Sequence, residues 1–497
     1  MRILYLDLDT TRSDHLGCYG YHRNTSPTID RVAADGVVFE NCYCSDAPCL
    51  PSRTALMSGQ FGIHTGVIGH GGTAADRRIV GARRGFKDYH LEQEALPHIF
   101  RRQGMRTVLF SPFGERHSTY QFYAGFNEIH NSGKSGMEIA DDVSPDVMDW
   151  FQRNAATDDW YVHINYWDAH TPYRAPESFG NQFKDEPAPS WLTADMLSAH
   201  REMCGCHKPQ EIRMFDNSPY PKWPQHLTEL KTMEDYKYFI DGYDTGIRYS
   251  DLHFSRIVDQ LKAAGVYDDT MIVISADHGE NQGELGIYGE HATADECTTH
   301  IPLIVKYPGG RKGARESSLV YNLDLAPTYA ELLGQTKKPG WDGASFASSL
   351  TGNGETSGHP YLVIGQCAHT CQRSVRFENW LYIRTWHDGY HLFPDEMLFD
   401  IKNDPHETKD LATTMPDVIL RARSMYLEWH NQMMNTMPDG YAVDPLRTVL
   451  SEDGPLHSRG HLPKYIEYLK KTGRPQHIEP LKAKHPQEFK DLSYTPE

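Results

Sequence analysis

Short apolar runs alternate along the chain with longer segments that have helical periodicity. Strands are predicted for "RILYLDLD" (2–9), "VVFENCYC" (37–44), "MRTVLF" (105–110), "DWYVHINYWDAH" (159–170) and "TMIVISADHGE" (270–280). Between the first two runs, Ser26 is placed to cap a helix that begins at Pro27 and ends before Gly36. Strands that alternate with helices are typical of a parallel sheet with helices on its faces. The predicted fold class is therefore α/β, a mostly parallel sheet sandwiched by helices.

The periodicity changes twice. Residues 171–232 are rich in proline, polar and aromatic residues, and predict a long loop insertion that shapes a pocket. After about residue 355, short strands and turns replace the alternation. Because 497 residues exceed what one compact core usually holds, we expect a catalytic domain at 1–355 and a smaller α+β subdomain at 356–497.

Charge and hydropathy exclude several classes of partner. The net charge of −18 argues against nucleic-acid binding, which needs a basic surface. No run approaches the ~20 apolar residues of a membrane span. Met1 leads directly into a strand, without the basic and apolar regions of a signal peptide, which predicts a cytoplasmic protein. Any site for an anion must therefore create its positive potential locally.

Nine cysteines are too few for a disulfide scaffold in a chain of this length. Two close pairs, Cys204 with Cys206 and Cys367 with Cys371, are interpreted as ordinary thiols rather than zinc ligands.

Polar residues gather at the carboxyl ends of the predicted strands, where parallel sheets bind ligands. Asp9, His170, Asp277 and His278 all lie at such ends. Asp7 and Asp9 share one face of their strand, and paired carboxylates repel unless a cation or proton lies between them. Spacing alone leaves two interpretations open: a divalent-cation site, or carboxylates that cap loops and a helix.

The segment "SDAPCLPSRTALMSGQ" (45–60) contains Cys49, which from its surroundings could be a buried small residue, a reactive thiol or a modification precursor. "CLPSRTALMSG" resembles the signature of the type I sulfatases. "DTTRSDHLGCYG", "NYWDAHTPYRAP", "ISADHGENQGELGIYGEH" and "MLFDIKNDPHETKDLA" resemble further segments of that family, in order, from residue 1 to about 412. The resemblance implies a formylglycine-dependent sulfatase with the alkaline-phosphatase-like fold.

In that family the signature cysteine is oxidised to formylglycine by a maturation enzyme, either formylglycine-generating or anaerobic. The resemblance therefore implies that Cys49 is a precursor. A hydrated aldehyde has two hydroxyls on one carbon, so one can attack sulfur while the other later releases sulfate. A thiolate would form an adduct without such an exit.

The resemblance also implies a metal site. Asp9 matches the first aspartate of the family's metal pair, and Asp277 and His278 match the second pair. Thr10 replaces the other aspartate of the first pair, a departure that Asp7 is expected to compensate. The metal is most often Ca²⁺ in the family, and these ligand types also leave Mg²⁺ and Mn²⁺ open.

Five further residues are expected to contact the sulfate ester. Arg53 matches the signature arginine that holds the ionised hydroxyl, and His170 matches the histidine that assists the leaving group. His291 stands where the family usually has a sulfate-binding lysine. "LFSPFGERHS" lacks the usual lysine and histidine, so Arg116 and His117 are the predicted substrate-binding replacements.

Two basic segments bear on the substrate. Arg77, Arg78, Arg83 and Arg84 form a run that is either solvated surface or a pocket rim. In the C-terminal stretch "HSRGHLPKYIEYLKK", Arg459 and His461 either belong to a solvated helix entry or fold back to contact a sugar.

We therefore expect hydrolysis of a sulfate ester on a small sulfated mono- or disaccharide. Two alternatives remain. One is a phosphonate or phosphate ester hydrolase on the same fold, and the other is a non-catalytic sulfated-glycan binder that keeps Cys49 unmodified.

Overall fold

A computed structural model describes residues 1–78, 95–214, 218–352, 358–437 and 442–490. Its strands are β1 (Arg2–Leu8), β2 (Val37–Tyr43), β3 (Asp46–Ala47), β4 (Arg106–Phe110), β5 (Glu128–His130), β6 (Trp160–Tyr166), β7 (Thr270–Ser275), β8 (Asn281–Gln282), β9 (Tyr288–Glu290), β10 (His300–Lys306), β11 (Ala314–Tyr321), β12 (Leu362–Gln366), β13 (Cys371–Phe377), β14 (Trp380–His387) and β15 (Glu396–Asp400).

The α-helices of the described residues are α1 (Pro27–Ala34), α2 (Cys49–Ser58), α3 (Gly62–Thr65), α4 (Leu96–Arg101), α5 (Phe113–Arg116), α6 (Ala140–Asn154), α7 (Ala194–Arg201), α8 (Met233–Ala263), α9 (Glu296–Thr299), α10 (Leu325–Leu332), α11 (Ala347–Thr351), α12 (Pro416–Asn435), α13 (Pro445–Ser451), α14 (Leu462–Lys471), α15 (Ile478–Lys484) and α16 (Pro486–Lys490).

Eight strands form the central sheet, in the order β11-β2-β10-β7-β1-β6-β4-β5. Only β10 runs antiparallel to its neighbours, so the prediction of a mostly parallel sheet is confirmed. In register, Asp7 of β1 lies between Asn165 of β6 and Ser275 of β7. The carboxyl ends of these three strands therefore meet at one place on the sheet edge.

Helices cover both faces of this sheet, because alternate residues of β1 enter two different cores. Leu4 and Leu6 pack in one core, to which α1, α6 and α8 contribute. Ile3 and Tyr5 pack in the other core, to which α2, α4 and α10 contribute. Because successive side chains of a strand point to opposite faces of the sheet, both faces of this apolar strand need a covering layer of helices.

The start of α1 is capped by a distant residue. Ser26 occupies the capping position, but its hydroxyl accepts from the Gly17 N–H and donates to Asp30. The N–H groups of Thr28 and Ile29 donate instead to Asp251 of α8, each at 2.9 Å. The predicted role of Ser26 is therefore wrong, because a long-range carboxylate replaces the local hydroxyl.

A second, five-stranded sheet has the order β15-β14-β13-β12-β3. Helix α12 packs on it through Val418, Ile419 and Ala422. This is the expected smaller C-terminal domain, with one addition: β3, directly before Cys49, pairs in parallel with β12. The boundary between residues 355 and 356 stays a prediction.

Residues 171–232 contain one α-helix, α7, among those described, which agrees with the predicted loop insertion. In the described part of the chain, no helix is both long and apolar enough to cross a membrane.

Candidate active site

Cys49 lies at the first position of α2, where the carboxyl ends of the central strands meet. The residue is 1% exposed, and its thiol donates to Nε2 of His278 at 3.0 Å. Burial raises the thiol pKa well above its ordinary value, and the charges of Asp277 and Asp9 add to the effect. Without a cation beside it, this environment therefore favours the neutral Cys49 thiol over a thiolate nucleophile.

Arg53, one turn further along α2, holds three carboxylates together. Its guanidinium donates to Asp9 Oδ2 at 2.6 Å, to Asp277 Oδ2 at 3.1 Å and to Asp7 Oδ2. The Phe113 ring covers it at 4.8 Å. Burial alone would lower the pKa of Arg53, but the three carboxylates raise it above its ordinary value, so the side chain stays charged.

The residues predicted to hold a metal converge. Ligand atoms of Asp9, Cys49, Asp277 and His278 all lie within 4.8 Å of one another, and all four residues are buried. Nδ1 of His278 donates to the Gly279 carbonyl at 2.8 Å, so Nε2 presents a lone pair to the group. Burial raises the pKa of Asp277; the Arg53 charge opposes this and the Asp9 charge adds to it. Two buried carboxylates beside an imidazole lone pair fit a divalent cation.

Asp7 and Thr10 lie beside this group rather than in it. Asp7 Oδ2 contacts Arg53 and His163, while its buried Oδ1 has no hydrogen-bond partner among the described residues. The Thr10 hydroxyl donates to Asp9 Oδ1 at 2.8 Å, and its backbone N–H donates to Asp277 Oδ1 at 3.0 Å. Thr10 thus orients two carboxylates, and metal contact by Asp7 stays a prediction.

His170 and Arg116 are hydrogen-bonded to each other. Nδ1 of His170 donates to the Thr171 carbonyl at 2.7 Å, and Nε2 accepts from Arg116 at 3.2 Å, so the ring is neutral. Burial and the charges of Arg116 and Arg174 lower the pKa of His170 well below its ordinary value. His170 also lies 4.0 Å from Asp9 Oδ1. The structure therefore brings these two predicted residues together at the group around Cys49.

His291 packs against the same group, with its ring centroid 4.2 Å from that of His278. Its Nδ1 lies 3.1 Å from Glu290 Oε1, without hydrogen-bond geometry. Burial and four neighbouring histidines, His278, His369, His170 and His70, lower its pKa well below the ordinary value. Unlike the lysine that the family has here, His291 carries no charge at neutral pH.

His117 also lies near Cys49. It belongs with Cys49 and His70 to a set whose ligand atoms lie within 4.8 Å of one another, and burial, with Arg116, lowers its pKa to about 3. The neighbouring Glu115 is exposed.

Sequence reasoning missed three residues near this site, His70, Arg174 and His369, and it named His457 only as part of the C-terminal segment. Nδ1 of His70 and Nε2 of His457 are 3.1 Å apart, and His457 stacks on His369 at 4.2 Å. Arg174 is buried and donates to the Thr171 carbonyl at 3.1 Å. Arg174 could have been identified from the sequence, because it lies in the family-like segment "NYWDAHTPYRAP", four residues after His170.

The predicted C-terminal residues are placed differently. His457 of this segment contacts His70 and His369. Arg459 instead donates to the Glu452 carbonyl at 2.8 Å and pairs with the Glu452 carboxylate at 3.3 Å. His461 immediately precedes α14 and is partly exposed. Substrate contacts by Arg459 and His461 stay predictions.

The basic run after the signature helix is only partly described. Arg78 donates to the Ile63 and Val443 carbonyls at 3.0 and 2.7 Å, which makes it a structural link. Arg77 approaches Gln60 at 3.5 Å. Arg83 and Arg84 lie outside the described residues.

The two cysteine pairs remain thiols. Cys204 donates to the Tyr390 carbonyl at 3.2 Å, and the sulfurs of Cys367 and Cys371 are 3.6 Å apart. In the described part of the chain, no candidate metal-binding group contains any of these four cysteines.

Known proteins share this fold and these segments. The Sulfatase family profile matches residues 2–335, and the profile "N-sulphoglucosamine sulphohydrolase, C-terminal" matches residues 283–426. An N-acetylglucosamine-6-O-sulfatase of Bacteroides thetaiotaomicron is 23% identical, over 82% of each chain.

Two solved structures show the same fold. One, in complex with its substrate D-glucosamine-2-N,6-O-disulfate, has a TM-score of 0.70 at 18% identity and covers 88% of this chain and 99% of its own. The other, a phosphonate monoester hydrolase from Silicibacter pomeroyi, has a TM-score of 0.65 at 20% identity, with 88% and 96% covered. Since the Sulfatase profile spans about two thirds of the chain, together with the signature around Cys49, the protein belongs to the sulfatase family.

Proposed function

We propose that this protein hydrolyses the sulfate ester of a small sulfated carbohydrate, a mono- or disaccharide. The observation that carries the proposal is the position of Cys49 in its signature, 3.0 Å from His278 and grouped with Asp9 and Asp277. The relative named N-acetylglucosamine-6-O-sulfatase and the structural neighbour with its glucosamine disulfate substrate support a sugar sulfate as the substrate class.

The nucleophile that we propose is formylglycine derived from Cys49, made by a formylglycine-generating or anaerobic maturation enzyme. Its hydrate supplies one hydroxyl to attack sulfur and a second whose deprotonation releases sulfate. Arg53 lies one helical turn away and keeps its charge, so it can hold an ionised hydroxyl at position 49 by a charge-assisted hydrogen bond.

Asp9, Asp277 and His278 would hold one divalent cation, with Asp7 adjacent to it through Arg53. A bound cation polarises sulfate oxygens and stabilises the ionised hydroxyl. Carboxylate oxygens favour Ca²⁺, which we propose first, while one imidazole among few ligands keeps Mg²⁺ and Mn²⁺ as alternatives.

Positive charge for the sulfate comes from Arg116 and Arg174, which flank His170. Arg116 also packs 4.9 Å over the Trp167 ring, which keeps its guanidinium at this edge of the site. In a chain with net charge −18, two cations beside His170 create the local potential that an anionic ester needs.

We propose that His291 contacts the bound ester as a neutral imidazole, with His170 as the group that orients Arg116. Both ring nitrogens of His170 are occupied, by the Thr171 carbonyl and by Arg116. Nδ1 of His291 has no hydrogen-bond partner among the described residues, so it is available for a hydrogen bond to the substrate. His117, Arg459 and His461 remain proposed sugar contacts.

A panel of sulfated monosaccharides and disaccharides tests the proposal, with released sulfate measured by ion chromatography. We expect turnover by protein co-expressed with a maturation enzyme, and none by the Cys49→Ala variant. Turnover that survives Cys49→Ala, or a matured protein that releases sulfate from no member of the panel, would contradict the proposal.

A phosphonate or phosphate ester hydrolase is the second candidate, and the phosphonate monoester hydrolase of the same fold supports it. This second function would be preferred if kcat/KM for an aryl phosphonate exceeded kcat/KM for every sulfate ester in the panel. A non-catalytic glycan binder would instead retain the Cys49 thiol, in peptide mass spectra, after co-expression with the maturation enzyme.

A further inference from the structure

A second group of metal-ligand side chains adjoins His291, and the His369 ring centroid in this group is 5.5 Å from that of His291. Ligand atoms of His207, Glu290 and His369 lie within 4.8 Å of one another. Nε2 of His207 is 3.7 Å from Glu290 Oε2, and Nε2 of His369 is 3.5 Å from Glu290 Oε1. The two histidine side chains are 6% and 8% exposed.

In this group, one buried acceptor nitrogen of His207 has no donor to satisfy it in the described part of the chain. Its Nδ1 donates to the Ile212 carbonyl at 2.7 Å, so in the neutral ring Nε2 is an acceptor. That buried nitrogen has no hydrogen-bond partner among the described residues, and it faces the carboxylate of Glu290. Two acceptors that face each other inside a protein need a cation or a proton between them.

The separations suit a shared metal ion. Ligands at tetrahedral angles, each ~2.1 Å from zinc, are ~3.4 Å apart. The two measured nitrogen–oxygen distances, 3.7 and 3.5 Å, are close to that value and too long for good hydrogen bonds. Two histidines and one glutamate are a donor set that zinc accepts, with a fourth position left open.

Three separate parts of the fold hold these ligands in place. His207 belongs to the loop insertion, and its carbonyl accepts from the Tyr288 N–H of β9 at 2.9 Å. Glu290 ends β9, and its Oε1 accepts from the His291 N–H at 3.1 Å. His369 lies in the turn between β12 and β13, where its carbonyl accepts from Ser458 at 3.3 Å.

We propose that His207, Glu290 and His369 form a second cation site, for Zn²⁺ or a similar borderline transition metal. The site is separate from the cation group of Asp9, Asp277 and His278, and it has softer, nitrogen-rich ligands. Glu290 is 15% exposed, so the open coordination position is accessible to water or to a ligand oxygen.

Cobalt titration of the Asp277→Asn variant tests this proposal, because that substitution removes a ligand of the first cation group. We expect one equivalent of Co²⁺ to bind and to give the visible absorption typical of tetrahedral Co²⁺ with nitrogen ligands. Adding His369→Gln or His207→Gln in the same background should weaken Co²⁺ binding at least tenfold. His22→Gln, a surface histidine that contacts the Pro187 carbonyl, is the matched control and should change nothing.

A thermal measurement keeps the test decisive if a double variant does not fold. ZnCl2 should raise the Tm of Asp277→Asn, since a ligand that binds only the folded state stabilises it. Absence of Co²⁺ absorption and of any Zn²⁺ effect on Tm would overturn the proposal. So would Co²⁺ binding that both histidine substitutions leave unchanged. In those cases a proton, rather than a metal ion, lies between the histidines and Glu290. The proposed sulfatase function would not be affected.

Discussion

At the residue scale, Arg53 balances the charge of the site. Its guanidinium contacts Asp7, Asp9 and Asp277, and all four side chains are almost fully buried. A buried charge that loses its partner costs far more than the pair contributes in place. We therefore expect the signature arginine to contribute to stability as well as to the proposed chemistry.

Arg53→Ala should abolish sulfate release and also destabilise the fold. In metal-free protein, removing the guanidinium leaves three buried carboxylates uncompensated, a loss of about 3–5 kcal/mol in the free energy of unfolding. Urea denaturation measures this loss. Arg53→Lys, which keeps the charge but not the planar fork, should recover much of the stability and little of the activity. Full stability in Arg53→Ala would contradict the assigned role.

Arg116→Ala tests a different role, namely binding of the anionic ester. We expect KM for a sulfated sugar to rise by about tenfold or more, because one of two cations beside His170 is lost. Arg78→Ala is the matched control, since Arg78 donates to the Ile63 and Val443 carbonyls. An equal KM in the wild type and in Arg116→Ala would remove Arg116 from the substrate site.

Local motifs predicted part of the site and could not predict the rest. Cys49, Asp9 and Asp277 stand in short segments with a recognisable order, and the parallel sheet brings their strand ends together. His70 and His457, in contrast, are 387 positions apart and meet through the ring nitrogens. No pattern of spacing links them, because the contact depends on how the C-terminal segment packs.

At the scale of elements, the sequence periodicity predicted those strands and helices whose own residues alternate between buried and exposed positions or between two cores. Strand β1 alternates between two cores, and α8 has a broad apolar face, so both are visible in the sequence. Strand β3 is only two residues long and pairs with β12, more than 300 positions later. Such a long-range pairing leaves no pattern in the local sequence, although it fixes the position of Ala47, two residues before Cys49.

The C-terminal helices α15 and α16 are joined to the second sheet by an ion-pair cluster around His485. Its ring contacts Asp388 at 2.9 Å and Glu488 at 3.1 Å. Lys484, His387 and Tyr390 also lie against the cluster. Burial alone would lower the pKa of His485, but the two carboxylates raise it to about 9.

A raised histidine pKa predicts stability that decreases at alkaline pH. The protonated ring stabilises the fold fully below its unfolded pKa of about 6.5, and this contribution disappears as pH rises through about 9. His485→Gln should therefore lower the free energy of unfolding near pH 6, by an amount on the order of 2 kcal/mol. The difference from wild type should vanish near pH 10. A difference that is independent of pH would contradict this assignment, and His22→Gln is the control.

At the scale of the whole molecule, the fold encloses Cys49, the proposed formylglycine precursor. All ten residues of α2 are buried, and Cys49 lies between the central sheet and the second sheet. An enzyme that oxidises Cys49 must reach its sulfur, and in the folded chain Cys49 is buried. Folding of both domains removes that access, so the order of maturation and folding matters.

Conversion of Cys49 should therefore occur only before the chain folds. We expect formylglycine, detected by peptide mass spectrometry as loss of sulfur and gain of oxygen, in protein co-expressed with a maturation enzyme. Folded Cys49 protein incubated with that enzyme should keep its thiol. A synthetic peptide spanning residues 45–60 is the control, and should be converted in the same reaction because nothing buries its cysteine. Equal conversion of folded protein and peptide would show that the site opens in the native state, against the burial of α2.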